Sequence, residues 1–335
     1  AYTVPDTVRV GLESVCKNVA SASIGVWELQ IGMQKGDGFQ RGGVITSSGL
    51  FTARPAVGDY IAVDKTMDCA DALDMAKDMK KSGLDTYAAY LSGGEWTVYV
   101  KDASVSAVEA AADENASRVS FEGVAITGGE APVLVPENAV MMGGNVADTF
   151  KLNSMPYRGM LTFSVNGSSM TGVNIIGLEE YLYGVVPSEM PKSYDAEALK
   201  AQAVAARTYA MTKLGAHTGS GYQLCDTTAC QVYKGYSNEA DATTAAVDAT
   251  AGEVACYNGS PIEAVFSAST GGYTESSENV WNTAVPYLRA VSEPGEYGDN
   301  SWTKTLTLDE LTALLQAKGE NIGTAKDIVI TKLST

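Results

Sequence analysis

The chain has 335 residues, enough for two domains at roughly 150 residues each, and its 45% hydrophobic content supports a buried core. Its 23 Lys and Arg against 40 Asp and Glu leave a net charge of −17. This acidity disfavours a protein that tracks nucleic-acid phosphates or docks on an anionic bilayer, and it suits a secreted protein with a neutral ligand or one acting at a charged surface.

The first part of the chain predicts a sheet. Short β-rich runs alternate with glycine turns at Val8–Leu12, Ile24–Ile31 and Gly43–Thr52. From Asp59 the pattern changes to a strand, a helix, two strands and a second helix. We therefore expect a small β-α-β-β-α module at residues 59–118, inserted into a larger domain made of residues 1–58 and 119–335.

Strands return after the module, and helices dominate from about residue 178. The turn signals in the strand region are Gly128-Gly129, Gly143-Gly144 and Asn166-Gly167. The predicted later elements are helices 178–183 (stopped by Gly184), 195–213 (capped by Asp195), one between Asn238 and Gly252 and 307–318, with a hairpin at 254–266 and a strand at 327–333. The fold class is therefore α+β, with a β-rich core and several helices in the second half. No run of 18 apolar residues is present, so we expect no membrane span.

Glu189 is the first candidate for chemistry. It lies between Pro187 and Pro191, where we expect extended backbone rather than helix. A carboxylate on a stiff loop before a helix is held in place, which suits acid–base catalysis. The alternative is that Glu189 caps the helix that begins at Asp195 or is simply exposed.

A longer motif surrounds this glutamate. Residues 177–191 (Gly-Leu-Glu-Glu-Tyr-Leu-Tyr-Gly-Val-Val-Pro-Ser-Glu-Met-Pro) precede Glu-Ala-Leu-Lys-Ala-Gln-Ala-Val-Ala-Ala-Arg-Thr-Tyr-Ala at 197–210. Further matches follow in order at 225–233, 267–274, 280–281 and 286–288. Together they resemble the stage II sporulation protein D and amidase-enhancer (SpoIID/LytB) family over residues 155–300. The resemblance implies action on the bacterial cell wall, with the family's catalytic glutamate at Glu189.

The sporulation branch of that family resembles a lytic transglycosylase. Such an enzyme cleaves MurNAc-GlcNAc bonds of glycan strands, here expected to be peptide-stripped, and leaves 1,6-anhydro-MurNAc ends with one carboxyl group as acid and base. Ordinary glycosidases need two carboxylates, and only Asp195 and Glu197 lie near Glu189 in the motif. The alternative is a non-catalytic wall-binding protein that enhances an amidase.

Side-chain chemistry and the resemblance together make further residues candidates for glycan binding. Lys200 and Arg207, seven residues apart on one helix, could hold polar or lactyl groups of the glycan or be solvated surface charges. The turn after a strand at 269–272 could present backbone N–H groups to a sugar or only close the turn; Ser267 stands where the family often has His. The candidate set is Lys200, Arg207, Tyr209, Gln231, Tyr233, Ser269, Thr270, Gly271 and Gly272.

The five cysteines and the single histidine offer two interpretations. His217, Cys225 and Cys230 could ligate zinc, but Ala229 stands where some members of the family have a second His. A Cys225–Cys230 disulfide suits a secreted protein, and we favour it, or free thiols, over zinc. Cys256 alternates with apolar residues, which predicts a buried position. No cofactor is required by the proposed reaction.

The inserted module has a weaker resemblance of its own. Its element order and the segment Trp96-Thr-Val-Tyr-Val100 resemble the sporulation-related repeat (SPOR), which implies binding of peptide-free glycan, with Trp96 and Tyr90 as stacking residues. The alternative is a module that only packs. We thus expect a secreted, cell-wall-associated protein whose partners are peptidoglycan glycan strands and, for the alternative function, a cell-wall amidase, with no nucleic acid.

Overall fold

The computed structural model describes residues 3–144, 149–293 and 303–329. The chain divides into two compact units, residues 1–264 and residues 265–335. The first unit contains two large sheets and most of the helices, and one continuous hydrophobic core runs through both sheets. The fold is α+β, as the order of elements predicts.

The bounds of the elements are as follows. The strands are β1 (Thr7–Gly11), β2 (Ala22–Gly25), β3 (Glu28–Lys35), β4 (Gly38–Thr46), β5 (Phe51–Val63), β6 (Asp85–Ser92), β7 (Glu95–Lys101), β8 (Ala116–Thr127), β9 (Val133–Pro136), β10 (Val140–Gly143), β11 (Phe150–Leu152), β12 (Met155–Tyr157), β13 (Met160–Asn166), β14 (Ser169–Gly177), β15 (Leu224–Cys225), β16 (Cys256–Tyr257) and β17 (Ser260–Pro261). The α-helices are α1 (Cys69–Lys81), α2 (Val105–Ala112), α3 (Leu178–Glu189), α4 (Ala196–Lys213), α5 (Asp241–Ala249), α6 (Ser277–Trp281) and α7 (Leu308–Ala317).

The first sheet carries the helical region. Its seven strands follow the order β15-β1-β14-β13-β10-β3-β4. The hairpin of β13 and β14 turns at Asn166-Gly167, as predicted, and β14 runs directly into α3. Strand β1 pairs antiparallel with β14 and parallel with β15, so that Gly11 lies opposite Cys225. The end of β1 is thereby fixed beside a segment more than 200 residues later in the chain.

The second sheet contains a barrel. Strands β5, β7, β6, β9 and β8 pair in this order, and β8 pairs back onto β5 from Thr52↔Thr127 to Val63↔Ala116. The predicted order of strands and helices between residues 59 and 118 is present, although β5 and β8 extend beyond these bounds. Asp68 caps α1 by accepting from the Asp71 N–H at 2.9 Å. The identification of this region as a SPOR-like module stays a prediction.

The aromatic residues proposed for glycan stacking lie in the core of the barrel region. Trp96 is 0% exposed and Tyr90 is 1% exposed, and their ring centroids are 5.2 Å apart. The Trp96 indole N–H donates to the Gly42 carbonyl at 2.9 Å. Their role in stacking on a sugar is therefore corrected: both rings fill the interior, because large rings on adjacent strands that face a covering helix bury the most apolar area there.

Helix α3 differs most from the prediction. It continues through Gly184 and Pro187 to Glu189, so the residues around Glu189 are not an extended loop. Gly184 does not end the helix because its function is close packing: a Cβ there would lie 2.6 Å from the Tyr233 ring. Pro187 removes one helical hydrogen bond, and the last turn is kept by the Met190 N–H, which donates to the Val186 carbonyl at 2.9 Å.

Helix α4 agrees with its prediction. The Asp195 carboxylate accepts from the Glu197 N–H at 2.9 Å and caps the helix. The face formed by Leu199, Ala203 and Ala206 is buried. The next helix, α5, starts at Asp241, later than a cap at Asn238 would place it.

The later predictions are partly wrong. The hairpin at 254–266 is reduced to β16 and β17, two residues each, and Cys256 is exposed rather than buried because this short hairpin lies at the surface. In the second unit, α7 is present with a capping box between Thr307 and Glu310. Residues 327–329 form no strand, and the remainder of the predicted strand 327–333 lies outside the described residues. Among the described helices, none combines the length and the apolar character needed to cross a bilayer.

Candidate active site

Glu189 is the last residue of α3, and its carboxylate is held by a backbone amide. Oε1 accepts from the Val232 N–H at 2.7 Å, while Oε2 has no hydrogen-bond partner within residues 3–144, 149–293 and 303–329. The side chain is partly exposed. The carboxylate is therefore oriented by one oxygen and offers the other to a ligand.

The last turn of α3 is braced from a neighbouring segment. The Ser188 hydroxyl donates to the Gly184 carbonyl at 2.6 Å, and the Asn238 amide donates to the Ser188 oxygen at 2.8 Å. Sequence reasoning missed Ser188 and Asn238 as supports, and it missed Val232 because a backbone N–H leaves no trace in residue type. Glu189 is thus positioned by the helix and the segment 231–238 together.

Gln231 and Tyr233 flank Val232 but are buried, at 1% and 3% exposure. The Gln231 amide donates to the Ala206 carbonyl at 3.2 Å, and the Tyr233 hydroxyl donates to Asn174 Oδ1 at 2.9 Å. Burial raises the pKa of the Tyr233 phenol well above its usual value, so it remains a donor. The expectation that these two side chains contact glycan is corrected: they anchor the segment that presents the Val232 N–H.

Arg207 is also a structural residue. It is 0% exposed, and its guanidinium donates to both carboxylate oxygens of Glu179, from Nε at 2.9 Å and from Nη2 at 2.6 Å. It also donates to the carbonyls of Val247 (3.3 Å) and Glu253 (3.0 Å). The expectation that Arg207 holds glycan groups is therefore corrected: the side chain ties α3 and α4 to the end of α5.

Lys200 and Tyr209 are both partly exposed on α4. The Lys200 ammonium donates to Glu197 at 2.7 Å, and this hydrogen bond raises the pKa of Lys200, so the group is charged at neutral pH. The Tyr209 ring is partly buried and lies 5.4 Å from the Lys213 ammonium. Both side chains are accessible, and their contact with a glycan stays a prediction.

The turn at 269–272 belongs to the second unit. Gly271 and Gly272 have φ angles of 70° and 97°, which favour glycine. Their N–H groups donate to the hydroxyls of Ser269 (3.3 Å) and Thr270 (3.2 Å), so two of the backbone donors expected to face a sugar are used within the turn. The Thr270 hydroxyl in turn donates to Glu293 at 2.6 Å.

All five cysteines are free thiols in the structure, so of the two favoured alternatives the Cys225–Cys230 disulfide is wrong. Instead, a nitrogen of His217 and the sulfur atoms of Cys225 and Cys230 lie within 4.8 Å of one another. His217 Nε2 is 3.3 Å from Cys230 Sγ. Burial raises the pKa of the Cys230 thiol to about 11 in the absence of a cation.

These three donors fit a zinc ion. Thiolate sulfur and imidazole nitrogen are zinc ligands, and bond lengths of about 2.3 Å place ligand atoms of a tetrahedral site about 3.8 Å apart. The set has three protein ligands within the described chain and Ala229 at the position of a further His in some family members. Such an ion would link His217 to Cys225 and Cys230 and so stabilise the conformation of residues 217–230.

The geometry defines a protein of one class: an α+β protein in which a backbone N–H orients a carboxylate at the end of a helix, with a Cys₂His cluster on the segment that precedes this N–H. Comparison with known proteins shows which family this region resembles. Residues 166–257 match the family model SpoIID, described as Stage II sporulation protein.

Three relatives extend the comparison. The chain is 50% identical to the amidase enhancer of Bacillus subtilis over 130 residues, which is 39% of this chain and 17% of that protein. It is 39% identical to stage II sporulation protein D of Bacillus subtilis over 163 residues, 44% of this chain and 48% of the relative. It is 42% identical to an uncharacterized protein of Brachyspira hyodysenteriae over 166 residues, 49% of this chain and 45% of that one. The matches thus span less than half the length of each relative.

Proposed function

We propose that this protein is a peptidoglycan lytic transglycosylase in which Glu189 is the single general acid and base. The observation that carries the proposal is the Glu189 carboxylate, held through Oε1 by the Val232 N–H at 2.7 Å, with Oε2 unpartnered among the described residues. A group that gives and then takes a proton at one substrate must be both fixed and accessible. The match to the stage II sporulation protein model supports the bacterial cell wall as the substrate class, as the sequence resemblance implies.

The reaction needs only this carboxyl group. Glu189 protonates the glycosidic oxygen as the bond from C1 of MurNAc breaks. The carboxylate then removes the proton of the C6 hydroxyl of the same sugar, whose oxygen attacks C1 and closes the 1,6-anhydro ring. The reaction needs no water, because the C6 oxygen replaces the leaving glycosidic oxygen at C1 and Glu189 ends in its starting protonation state.

The nearby acids support a single-carboxylate mechanism because they have other partners. Asp195 caps α4, and Glu197 pairs with Lys200. A glycosidase that uses water or a covalent intermediate needs a second carboxylate opposite the first, whereas these two acids are engaged in the first turn of α4. We expect peptide-stripped glycan strands to be the preferred substrate and the cell wall, outside the cytoplasm, to be the site of action.

The second candidate function is a non-catalytic wall-binding protein that enhances an amidase. The observation that favours it is the 50% identity over 130 residues to a relative named amidase enhancer. In that case the surface around Glu189 would bind glycan, and Glu189 would accept hydrogen bonds from sugar hydroxyls without transferring a proton.

One experiment separates the two. Peptide-free glycan strands are incubated with the wild type, Glu189→Gln and Glu180→Gln, and products with anhydro ends are counted by mass spectrometry. Glu180 is an exposed carboxylate on the same helix, which makes it a matched control. We expect a loss of roughly 10²–10⁴-fold for Glu189→Gln and none for Glu180→Gln. Release at the wild-type rate by Glu189→Gln would remove the acid–base assignment, and a wild type that releases no anhydro ends but accelerates an amidase would favour the second function.

A further inference from the structure

The carboxylate of Glu13 lies beside the imidazole of the Cys₂His cluster, although Glu13 belongs to no motif of the sequence analysis. The parallel pairing of β1 with β15 sets Gly11 opposite Cys225, and the chain after β1 brings Glu13 next to His217. Glu13 Oε1 lies 4.0 Å from His217 Nδ1, and the Glu13 side chain is only 11% exposed.

Glu13 is itself held by two other groups. The Tyr222 hydroxyl donates to Oε1 at 2.6 Å, and the Lys17 ammonium forms an ion pair with Oε2. The Tyr222 ring also stacks on the His217 ring, with centroids 5.3 Å apart and an interplanar angle of 26°. The carboxylate and the imidazole plane are therefore fixed relative to each other before any cation arrives.

The two nitrogens of His217 face different partners. Nε2 points to Cys230 Sγ at 3.3 Å, and Nδ1 is the nitrogen nearer to Glu13. In metal sites, the second ring nitrogen of a ligating His commonly donates to a carboxylate, which sets the tautomer and increases the basicity of the ligating nitrogen. A movement of about 1 Å brings the Nδ1–Oε1 pair to hydrogen-bond length.

We propose that Glu13 is the positioning carboxylate of a zinc site formed by His217, Cys225 and Cys230. Glu13 accepts the Nδ1 proton of His217, so that Nε2 carries its lone pair toward the two sulfurs. The cluster of potential ligand atoms in the described chain contains no carboxylate, so Glu13 acts through His217 and not on the ion. The site has only three protein ligands among the described residues, so the fixed tautomer of His217 makes up part of the zinc affinity that a fourth ligand would add.

The test measures metal binding to the whole chain without substrate, so its outcome is independent of the cleavage reaction. The reduced, chelator-treated protein is titrated with zinc in competition with a chromophoric chelator, and separately with Co²⁺ while the absorption spectrum is recorded. The variants are Glu13→Gln, Tyr222→Phe, Cys225→Ser and, as an exposed carboxylate elsewhere, Glu122→Gln.

We expect one zinc per wild-type chain and an affinity lower by about 10–100-fold in Glu13→Gln. Tyr222→Phe keeps the stacked ring and removes one hydrogen bond to Glu13, so a smaller loss is expected. Cys225→Ser should lose the sulfur-to-cobalt absorption in part, whereas Glu13→Gln should keep it and shift only the ligand-field bands. Wild-type affinity and an unchanged cobalt spectrum in Glu13→Gln would overturn the role of Glu13, and a wild type that binds neither ion would overturn the site.

Discussion

Replacement of Arg207 by Met tests whether this residue is structural, as its surroundings indicate, or a ligand contact. The change leaves the Glu179 carboxylate and the carbonyls of Val247 and Glu253 without their donor. Removal of one partner of a buried ion pair costs about 3–5 kcal/mol. Because the Glu179 side chain is 30% exposed and still accepts from the Gly252 N–H at 3.1 Å, we expect the lower end, about 3 kcal/mol.

The assay is thermal and urea unfolding at pH 7, followed by far-UV circular dichroism. A loss of about 3 kcal/mol corresponds to a decrease in Tm of about 6–12 °C for a unit of this size. The matched control is Lys200→Met, which removes another cation of α4. Because its pair with Glu197 is exposed, this change should leave Tm within measurement error. The structural interpretation is refuted if Arg207→Met unfolds at the wild-type midpoint, or if Lys200→Met loses as much.

Two further predictions concern packing and thiol access. Gly184→Ala places a Cβ 2.6 Å from the buried Tyr233 ring and should destabilise the protein by about 1–3 kcal/mol, despite the better helix propensity of Ala. The control in the unfolding assay is Gly215→Ala, because a Cβ at position 215 meets open space. Equal unfolding midpoints for the two variants would contradict the packing argument. Cys256 is exposed and should react first with a thiol reagent, whereas Cys16 is 0% exposed and burial raises its pKa to about 11; a fast phase that persists in Cys256→Ser would show this to be wrong.

Local signals were sufficient where a feature depends on its neighbours in the chain. The N-cap Asp195 was predicted correctly, because a cap bonds within three residues of itself, and the caps Asp68 and Thr307 follow the same rule. The alternation of strands and helices gave the α+β class for the same reason. The sequence motif also marked Glu189 as the candidate for catalysis.

The predictions were wrong where a segment distant in the chain determines the local structure or the environment of a side chain. Gly184 and Pro187 are local helix breakers, yet α3 passes through both because Tyr233 packs against the glycine from 49 residues away. Lys200 and Arg207 present the same charge on one helix, but only tertiary contacts make one exposed and the other fully buried. Glu13 carried no signal at all, since its partner His217 is 204 residues later.

The hydrogen bond that orients Glu189 comes from a backbone N–H, so it depends on the peptide group and not on the residue type at position 232. Every residue type except proline supplies an N–H at position 232, so the hydrogen bond to Glu189 stays when the side chain there changes. A scan that replaces side chains by Ala would therefore not detect this hydrogen bond. Its importance would appear only on substitution by Pro or on exchange of the amide for an ester, which deletes the donor and leaves the shape of the chain almost unaltered.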